Sequence, residues 1–145
     1  MSLRRLRLGE LLALAGAICV IVSMFVPSYN GPTGTLDAWD TFGGAVVLLL
    51  AAVAAALAMV VSALTERSTA LPVSTAVWCV PLGLIGTIAA VVRVLERPDS
   101  ASSTCAGVWL ALAGALAILV GAWRAIDDER PSLYEPARPK PRPRP

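Results

Sequence analysis

Four long apolar stretches occupy most of this chain, at residues 8–26, 42–64, 71–95 and 106–126. The charged side chains inside them are Glu10, Arg93 and Arg124, and each lies within about one helical turn of an end of its stretch. A hydrocarbon core of about 30 Å is crossed by about 20 helical residues, so each stretch is long enough to span a bilayer. Runs such as 45–61 are apolar on every face, unlike the alternating segments of a membrane β-barrel. The sequence therefore predicts an all-α membrane protein, a bundle of four transmembrane helices.

The composition supports this class. Of the 145 residues, 57% are hydrophobic and 15% are charged, and the mean hydropathy is +0.72. A soluble domain is nearer to half apolar and one quarter charged. We predict a transmembrane domain over residues 1–126, followed by a charged tail rich in proline and arginine over residues 127–145, with no separate soluble domain.

The distribution of charge predicts the orientation. Basic residues gather before the first stretch and at or after the end of the fourth: Arg4, Arg5, Arg7, Arg124, Arg130, Arg138, Lys140, Arg142 and Arg144. The first connection carries Asp37 and Asp40 but no basic residue, and in the third connection acidic residues offset the basic ones. Because basic residues favour the cytoplasmic side, we expect both termini in the cytoplasm. An even number of spans agrees with this placement.

The first stretch could also be interpreted as a cleaved secretory signal, since it has a basic start and an apolar centre. Its apolar run exceeds the roughly 7–15 residues of a signal core, and Pro27 falls inside the site where cleavage would occur. We therefore expect it to remain in the protein as a span.

Of the three cysteines, Cys19 and Cys79 could form a bridge on steric grounds, but buried thiols in lipid are more often small packing residues. Helical rise places Cys19 near the middle of the membrane, Cys79 in its inner half and Cys105 at its outer surface. A disulfide needs Cα atoms within about 7 Å, which argues against either bridge to Cys105 within one chain. A bridge between Cys105 residues of two copies stays open as an alternative.

Small residues recur every three or four positions in the first and last stretches, forming one stripe on each helix: Gly9, Ala13, Gly16, Val20 and Ser23, and Gly107, Ala111, Gly114, Ala117, Gly121 and Ala125. Small residues allow helix backbones to approach closely in a membrane. We expect the stripes to pack within the bundle, with the first and fourth spans as a pair. A contact between copies of the chain is the alternative.

Several other residues are assigned structural roles. Pro81 lies inside the third stretch and is expected to bend that helix. Trp39, Trp109 and Trp123 suit the membrane interfaces. Thr35 or Asp37 suits a helix start; the pair Asp37 and Asp40 supplies too few oxygens for a typical cation site.

The segment 136–145 alternates proline with basic residues, so an extended arm is expected there. Next to a membrane, its cations would be drawn to anionic lipid headgroups. Docking of a cytosolic partner is the alternative, and we expect no specific nucleic-acid binding.

The sequence contains no histidine and none of the common phosphate-binding, dinucleotide-binding or nucleophile motifs. Glu10 resembles the first-helix glutamate of small four-span multidrug transporters, but it lies only two residues into its span. We assign no catalytic, cofactor-binding or metal-ligating residue, and no cofactor.

The order of features resembles a family of small actinobacterial four-span membrane proteins of uncharacterised function. The resembling pieces are Gly9-Glu10, Val26-Pro27, the run from Leu36 to Phe42, Leu71-Pro72, the run from Ala106 to Leu110, and Trp123 followed by Asp128-Glu129-Arg130-Pro131. Ser28 stands where a tryptophan often follows the proline in that family. The resemblance implies a protein of the inner (cytoplasmic) membrane with both ends inside, and it implies no activity.

The sequence thus predicts a non-enzymatic integral membrane protein that acts as an accessory, assembly or interaction subunit. Its expected partners are the bilayer, anionic headgroups, and a membrane protein or a second copy of the chain. The alternative is a small transporter or channel subunit that works as a homo-oligomer.

Overall fold

Helices dominate the structure, a computed structural model that describes residues 8–32, 34–65, 70–99 and 101–127. The predicted tail, apart from residue 127, lies outside these ranges. The elements in chain order are α1 (Leu8–Ser23), β1 (Tyr29–Gly31), β2 (Gly34–Leu36), α2 (Ala38–Thr41), α3 (Gly44–Thr65), α4 (Ala70–Leu95), β3 (Ser103–Thr104) and α5 (Ala106–Asp127).

Three helices are long and apolar enough to cross a membrane, over Gly44–Leu64, Val77–Leu95 and Ala106–Asp127. Helix α1 is equally apolar but shorter, with 16 residues. A membrane location is therefore supported, and three of the four predicted spans correspond to such helices.

The four long helices form a bundle in which α5 lies between α1 and α4, and α3 contacts both α4 and α1. The interior is built mainly from small side chains, and alanines are its most frequent residue. Such side chains leave little bulk between helices, so the backbones approach one another closely. Gly86 faces Ala52 of α3 and Gly83 faces Leu119 of α5, which places α4 against both neighbours.

The two small-residue stripes meet, as the spacing predicted. Helices α1 and α5 run antiparallel, with Gly9 against Gly121 and Gly16 against Gly114. A Cβ atom added at Gly16 would lie 2.6 Å from the carbonyl oxygen of Gly114. Real Cβ atoms do not approach a backbone oxygen that closely, so only glycine fits at this crossing. The expectation that the stripes pack within the bundle is confirmed.

A small antiparallel sheet, which was not predicted from the sequence, closes one end of the bundle. Strand β1 lies at its centre, with β2 on one side and β3 on the other. Asn30 pairs with Thr35 across the hairpin and with Ser103 of the third connection. We call this end of the bundle the sheet end.

The apolar stretch predicted to begin at about residue 42 corresponds to a helix, α3, that begins two residues later. Phe42 ends the short helix α2 and is fully buried, and α3 begins at Gly44. Between them Gly43 has a φ of +49°, a left-handed conformation that lets the chain turn from one helix into the next. The apolar side chain of Phe42 extends the hydrophobic run in the sequence, although its backbone belongs to the preceding turn.

Two further predictions from the sequence concern Pro81 and Asp37. Helix α4 continues as an α-helix through Pro81, and a bend at that residue stays a prediction. Asp37 does occupy the position before the first turn of α2, but its side chain makes no capping hydrogen bond there. Instead its carbonyl oxygen accepts a hydrogen bond from the Thr41 hydroxyl at 2.7 Å.

Candidate functional site

The sheet end holds a basic residue of an apolar helix in a defined geometry. Arg93 lies in the last turn of α4 and is half-buried. Its Nη2 atom donates a hydrogen bond to the carbonyl oxygen of Phe42 at 2.7 Å. This contact ties the end of α4 to the turn that precedes α3, and it anchors the guanidinium group beside the first residues of α3.

Tyr29 secures the same residue from the side of the sheet. Its side chain is fully buried, and its hydroxyl donates a hydrogen bond to the carbonyl oxygen of Arg93. The last carbonyl groups of a helix have no partner within the helix, so this bond satisfies one of them. The Tyr29 ring also meets the edge of the Phe42 ring, with centroids 6.3 Å apart and planes at 68°. Tyr29, Phe42 and Arg93 therefore form one cluster that joins β1, α2 and α4.

The environment of Tyr29 affects its acidity. Burial raises the pKa of the Tyr29 hydroxyl above its usual value of 10.0, while the positive charges of Arg93 and Arg97 act in the opposite direction. Burial is the larger effect. The hydroxyl therefore remains protonated, and able to donate its hydrogen bond, at neutral and mildly alkaline pH.

An apolar groove leads away from Arg93 between α3 and α4. Its volume is about 380 Å³, and its lining residues are Ala45, Leu48, Ile85, Ile88, Ala89, Val92 and Arg93. Alanines from the two helices face this space, and their short side chains leave room between the larger residues. The groove opens on the outer surface of the bundle, where Leu48, Ile85 and Ile88 are exposed. We call this feature the α3–α4 groove.

Ser28 at the sheet end has a paired backbone and an unpaired hydroxyl group. The backbone of Ser28 is bonded to Leu36 and Cys105 at 2.9 and 2.8 Å. Among the described residues, the hydroxyl oxygen of Ser28 is a buried side-chain atom with no hydrogen-bond partner. It packs against the backbone of α5, since a Cβ added at Gly107 would lie 2.8 Å from it.

Two polar contacts link or line the helices away from the sheet end. The hydroxyl groups of Ser62 in α3 and Thr75 in α4 lie 2.9 Å apart. The Thr87 hydroxyl donates to the carbonyl oxygen of Gly83 within α4 at 2.8 Å. Each hydroxyl group thus finds a partner inside the bundle, which is the usual solution for a polar side chain in an apolar helix.

The cysteines and carboxylates do not form a reactive cluster in the part of the chain that the structure describes. Cys19, Cys79 and Cys105 are free thiols in this structure, and a bridge between Cys105 residues of two copies stays a prediction that one chain does not test. No group of three or more His, Cys, Asp or Glu side chains within residues 8–32, 34–65, 70–99 and 101–127 is placed to hold a metal ion.

The tryptophans lie on the surface of the bundle. Trp39 and Trp109 are at the sheet end and Trp123 is near the opposite end of α5, and all three rings are more than half exposed. Their role as interface anchors stays a prediction. Trp78 is 70% exposed, so it too lies on the surface of the bundle.

Sequence reasoning placed Arg93 near an interface but did not connect it with a groove. The groove forms because α3 packs against α4, and the spacing of residues within one helix does not indicate which helix will be its neighbour. A partial signal was present, because Ala45 and Ala89 are small residues next to larger apolar ones near an end of the second and third stretches.

Comparison of the chain with protein-family models, with curated proteins and with solved structures found no match.

Proposed function

We propose that this chain is a non-enzymatic, multi-pass protein of the inner (cytoplasmic) cell membrane that serves as an accessory or assembly subunit. We include it, on the feature order given above, among the small actinobacterial four-span membrane proteins. The observation that carries the proposal is the outer surface of the bundle, where large apolar side chains are exposed on each long helix, among them Ile18, Val47, Val61, Ile88 and Val120. Such a surface is stable when lipid tails or the helices of another membrane protein cover it.

The proposal treats α1 as a fourth span, and the packing of α1 on α5 supports this. Gly9 lies against Ala125, and the carbonyl oxygens of Val26 and Pro27 lie against Gly107. The chain from Gly9 to Val26 therefore runs beside α5 from residue 125 to residue 107, a length of about 27 Å at 1.5 Å per residue. Because α5 is long enough to cross a membrane, the segment beside it covers nearly the same depth.

The close packing of the bundle favours an accessory role over a transport path through one copy. Backbone and side-chain atoms fill the α1–α5 contact, where an added Cβ at Gly9, Gly16, Gly114 or Gly121 would meet neighbouring atoms at 2.6–2.8 Å. Space at the surface is found in the α3–α4 groove, which opens sideways toward the bilayer rather than along the helix axes.

The orientation is tested by cysteine labelling in a variant without native cysteines. A cysteine at Thr35, which is exposed in β2, is expected to react with a membrane-impermeant maleimide in intact cells. Cysteines at Arg5 and Arg138 are expected to react only after the membrane is opened. Labelling of Arg5 and Arg138 from opposite sides would contradict four spans with both ends in the cytoplasm.

The accessory role is tested by crosslinking in the living membrane. A photoreactive residue at Val61 or Val120, on exposed faces of α3 and α5, is expected to capture one discrete membrane protein. Two tail variants refine the result: removal of residues 136–145, and replacement of Arg138, Lys140, Arg142 and Arg144 by glutamine with the prolines kept. If both variants lose capture, the cations of the tail support the contact. If only the deletion loses capture, the prolines of the tail bind the partner.

Crosslinks to lipid alone, with and without the tail, would contradict the accessory role. The transporter alternative is tested separately, by comparing ion-coupled efflux of wild-type protein and Glu10→Gln in reconstituted vesicles. Flux that depends on Glu10 would replace the accessory role with transport.

A further inference from the structure

The α3–α4 groove combines two properties that lipid molecules also combine. Six of its seven lining residues are apolar, and the seventh, Arg93, is a cation at the sheet end. We propose that the groove binds one anionic glycerophospholipid, with an acyl chain along the apolar residues and the phosphate group at Arg93. This inference concerns a ligand of the protein and does not depend on whether the chain is an accessory subunit.

The length of the groove suits an acyl chain. Its lining residues on α4 run from Ile85 to Arg93, which corresponds to about 12 Å of helix at 1.5 Å per residue. One leaflet contributes about half of a hydrocarbon core of about 30 Å. The groove therefore extends through most of the apolar depth of one leaflet and ends, at Arg93, near the level where headgroups begin.

The shape of the groove comes from its small residues. Ala45 of α3 and Ala89 of α4 line the groove together with the larger side chains of Leu48, Ile88 and Val92. A groove between larger leucine and isoleucine side chains makes more contacts with a flexible acyl chain than a flat helix surface does. Dispersion contacts of this kind are what can favour a bound lipid over bulk lipid, because both environments are equally apolar.

The charge and the hydrogen-bond donors of Arg93 favour a headgroup that carries a phosphate. One guanidinium hydrogen bond goes to the carbonyl oxygen of Phe42, and a guanidinium group has five N–H donors. Within the described residues no acidic side chain forms an ion pair with Arg93. The planar fork of arginine matches the oxygens of a phosphate group, and the bond to Phe42 holds the fork at the mouth of the groove.

The neighbouring charges agree with an anionic ligand at this position. Arg97 follows the end of α4 and is exposed, and Glu96 and Asp99 are exposed as well, away from the apolar lining. The positive charge that belongs to the groove itself is therefore that of Arg93. A lipid with a net negative headgroup complements this charge better than one with a zwitterionic headgroup, whose own cation would compete for the phosphate.

The test uses the full-length protein, purified in detergent and stripped of lipid, then titrated with phosphatidylglycerol or phosphatidylcholine while retained lipid is counted by native mass spectrometry. We expect one molecule of phosphatidylglycerol to be retained at concentrations where phosphatidylcholine is not. Arg93→Gln is expected to weaken this binding about tenfold, the usual size for one charge-assisted hydrogen bond, and Arg93→Lys to restore part of it. Arg124→Gln, at the opposite end of the bundle, is the matched charge control and is expected to leave binding unchanged.

A second pair of variants tests the apolar part. Ala89→Leu fills the groove and is expected to abolish retention, whereas Ala54→Leu, on an exposed face of α3 outside the groove, is expected to retain phosphatidylglycerol. Melting temperatures of all variants, measured in the same detergent, separate loss of binding from loss of folding. A diazirine in the acyl chain should crosslink to peptides of α3 and α4 around Leu48 and Ile85.

Several results would overturn the inference. Equal retention by wild-type protein and a folded Arg93→Gln variant would remove the headgroup contact, and crosslinks elsewhere on the bundle would remove the groove. Displacement of the lipid by excess glycerol phosphate would show that charge alone holds it, without the apolar groove. Occupation of the groove by a second copy of the chain, in crosslinks between copies at Leu48, would replace the lipid as the ligand.

Discussion

Gly16 and Gly114 show most directly how single residues decide the packing of this protein. Each faces the backbone of the other helix, and an added Cβ would approach a carbonyl oxygen to 2.6 or 2.8 Å. Ala15, the neighbour of Gly16, is exposed and faces away from this contact. A side chain larger than glycine would therefore clash with the facing backbone at residue 16, whereas residue 15 has room for one.

A bulky residue at Gly16 is expected to destabilise the bundle, because the backbones of α1 and α5 must move apart. We predict that Gly16→Ile lowers the free energy of unfolding in detergent by about 1–3 kcal/mol, the usual effect of overpacking. Ala15→Ile is the matched control and should leave the melting temperature nearly unchanged. Equal melting temperatures for the two variants would mean that α1 and α5 do not pack as described.

Tyr29 is the second single residue that affects the stability of the whole protein. Its folded-state pKa is raised by burial, so the folded protein holds this proton more tightly than the unfolded chain does. The resulting stability is fully present below pH 10 and is lost as the pH rises through the pKa of the folded state.

We predict that Tyr29→Phe lowers stability at neutral pH by about 1 kcal/mol, the usual contribution of one hydrogen bond, and removes part of the loss of stability above about pH 10. The measurement is thermal unfolding in detergent from pH 7 to pH 11. Tyr134→Phe, at the other tyrosine of the chain, is the control. An unchanged alkaline profile in Tyr29→Phe would contradict the buried, protonated hydroxyl.

At the scale of elements, the small sheet is the feature that joins segments distant in sequence. Strand β1 pairs with β2 a few residues away and with β3 more than 70 positions later, and Tyr29 and Arg93 then connect this sheet to α4. The side chains of Asn30 and Ser103 also meet, at 2.9 Å. The register is therefore specific enough to be tested by a disulfide.

We predict that Asn30→Cys with Ser103→Cys, in a variant without native cysteines, forms an intramolecular disulfide on mild oxidation. Directly paired residues of antiparallel strands have Cα atoms about 4.5–5.5 Å apart, within the range of a disulfide. After cleavage at a protease site placed in residues 66–69, the two fragments should remain joined until a reductant is added.

The matched control is Thr35→Cys with Ser103→Cys. These residues lie on the two outer strands, with β1 between them. Two strand spacings amount to about 9–10 Å, which is too far for a disulfide without movement of the backbone. Efficient crosslinking of the control pair would mean that the order of the strands is different.

At the scale of the whole molecule, several contacts hold the two halves of the chain together. Helix α1 packs on α5, α3 packs on α4, and β1 pairs with β3. Each of these contacts joins a segment before residue 66 to a segment after residue 69. Residues from both halves therefore build most of the interior, and we expect the two halves to associate even when they are separate chains.

We predict that residues 1–66 and 67–145, produced as separate chains in the same cell, assemble and copurify through a tag on one of them. Gly16→Ile in the first fragment should reduce the yield of the complex several-fold, because it opens the α1–α5 contact, and Ala15→Ile should not. Copurification that is insensitive to Gly16→Ile would mean that the α1–α5 contact contributes little to assembly.

The correspondence between sequence and structure differs with the range of the interaction. The length and apolar character of a helix are local properties, so α3, α4 and α5 were predicted from the sequence within a few residues. The stripes of α1 and α5 were also readable, since the three- and four-residue spacing of glycine and alanine marks one helix face. The apolar stretch begins at Phe42, two residues before α3, because hydrophobicity does not distinguish the buried side chain of Phe42 from a residue of the helix.

The amino-acid sequence alone determined that this protein is helical, apolar on its surface and tightly packed along the face that α1 and α5 share, because these properties follow from the size and polarity of residues at helical spacing. Only the tertiary structure decided that two connections form a sheet, that Tyr29 and Phe42 hold Arg93, and that residues of α3 and α4 line one groove. Those features bring together residues more than 40 positions apart, and such contacts depend on how the elements pack, which no local pattern specifies.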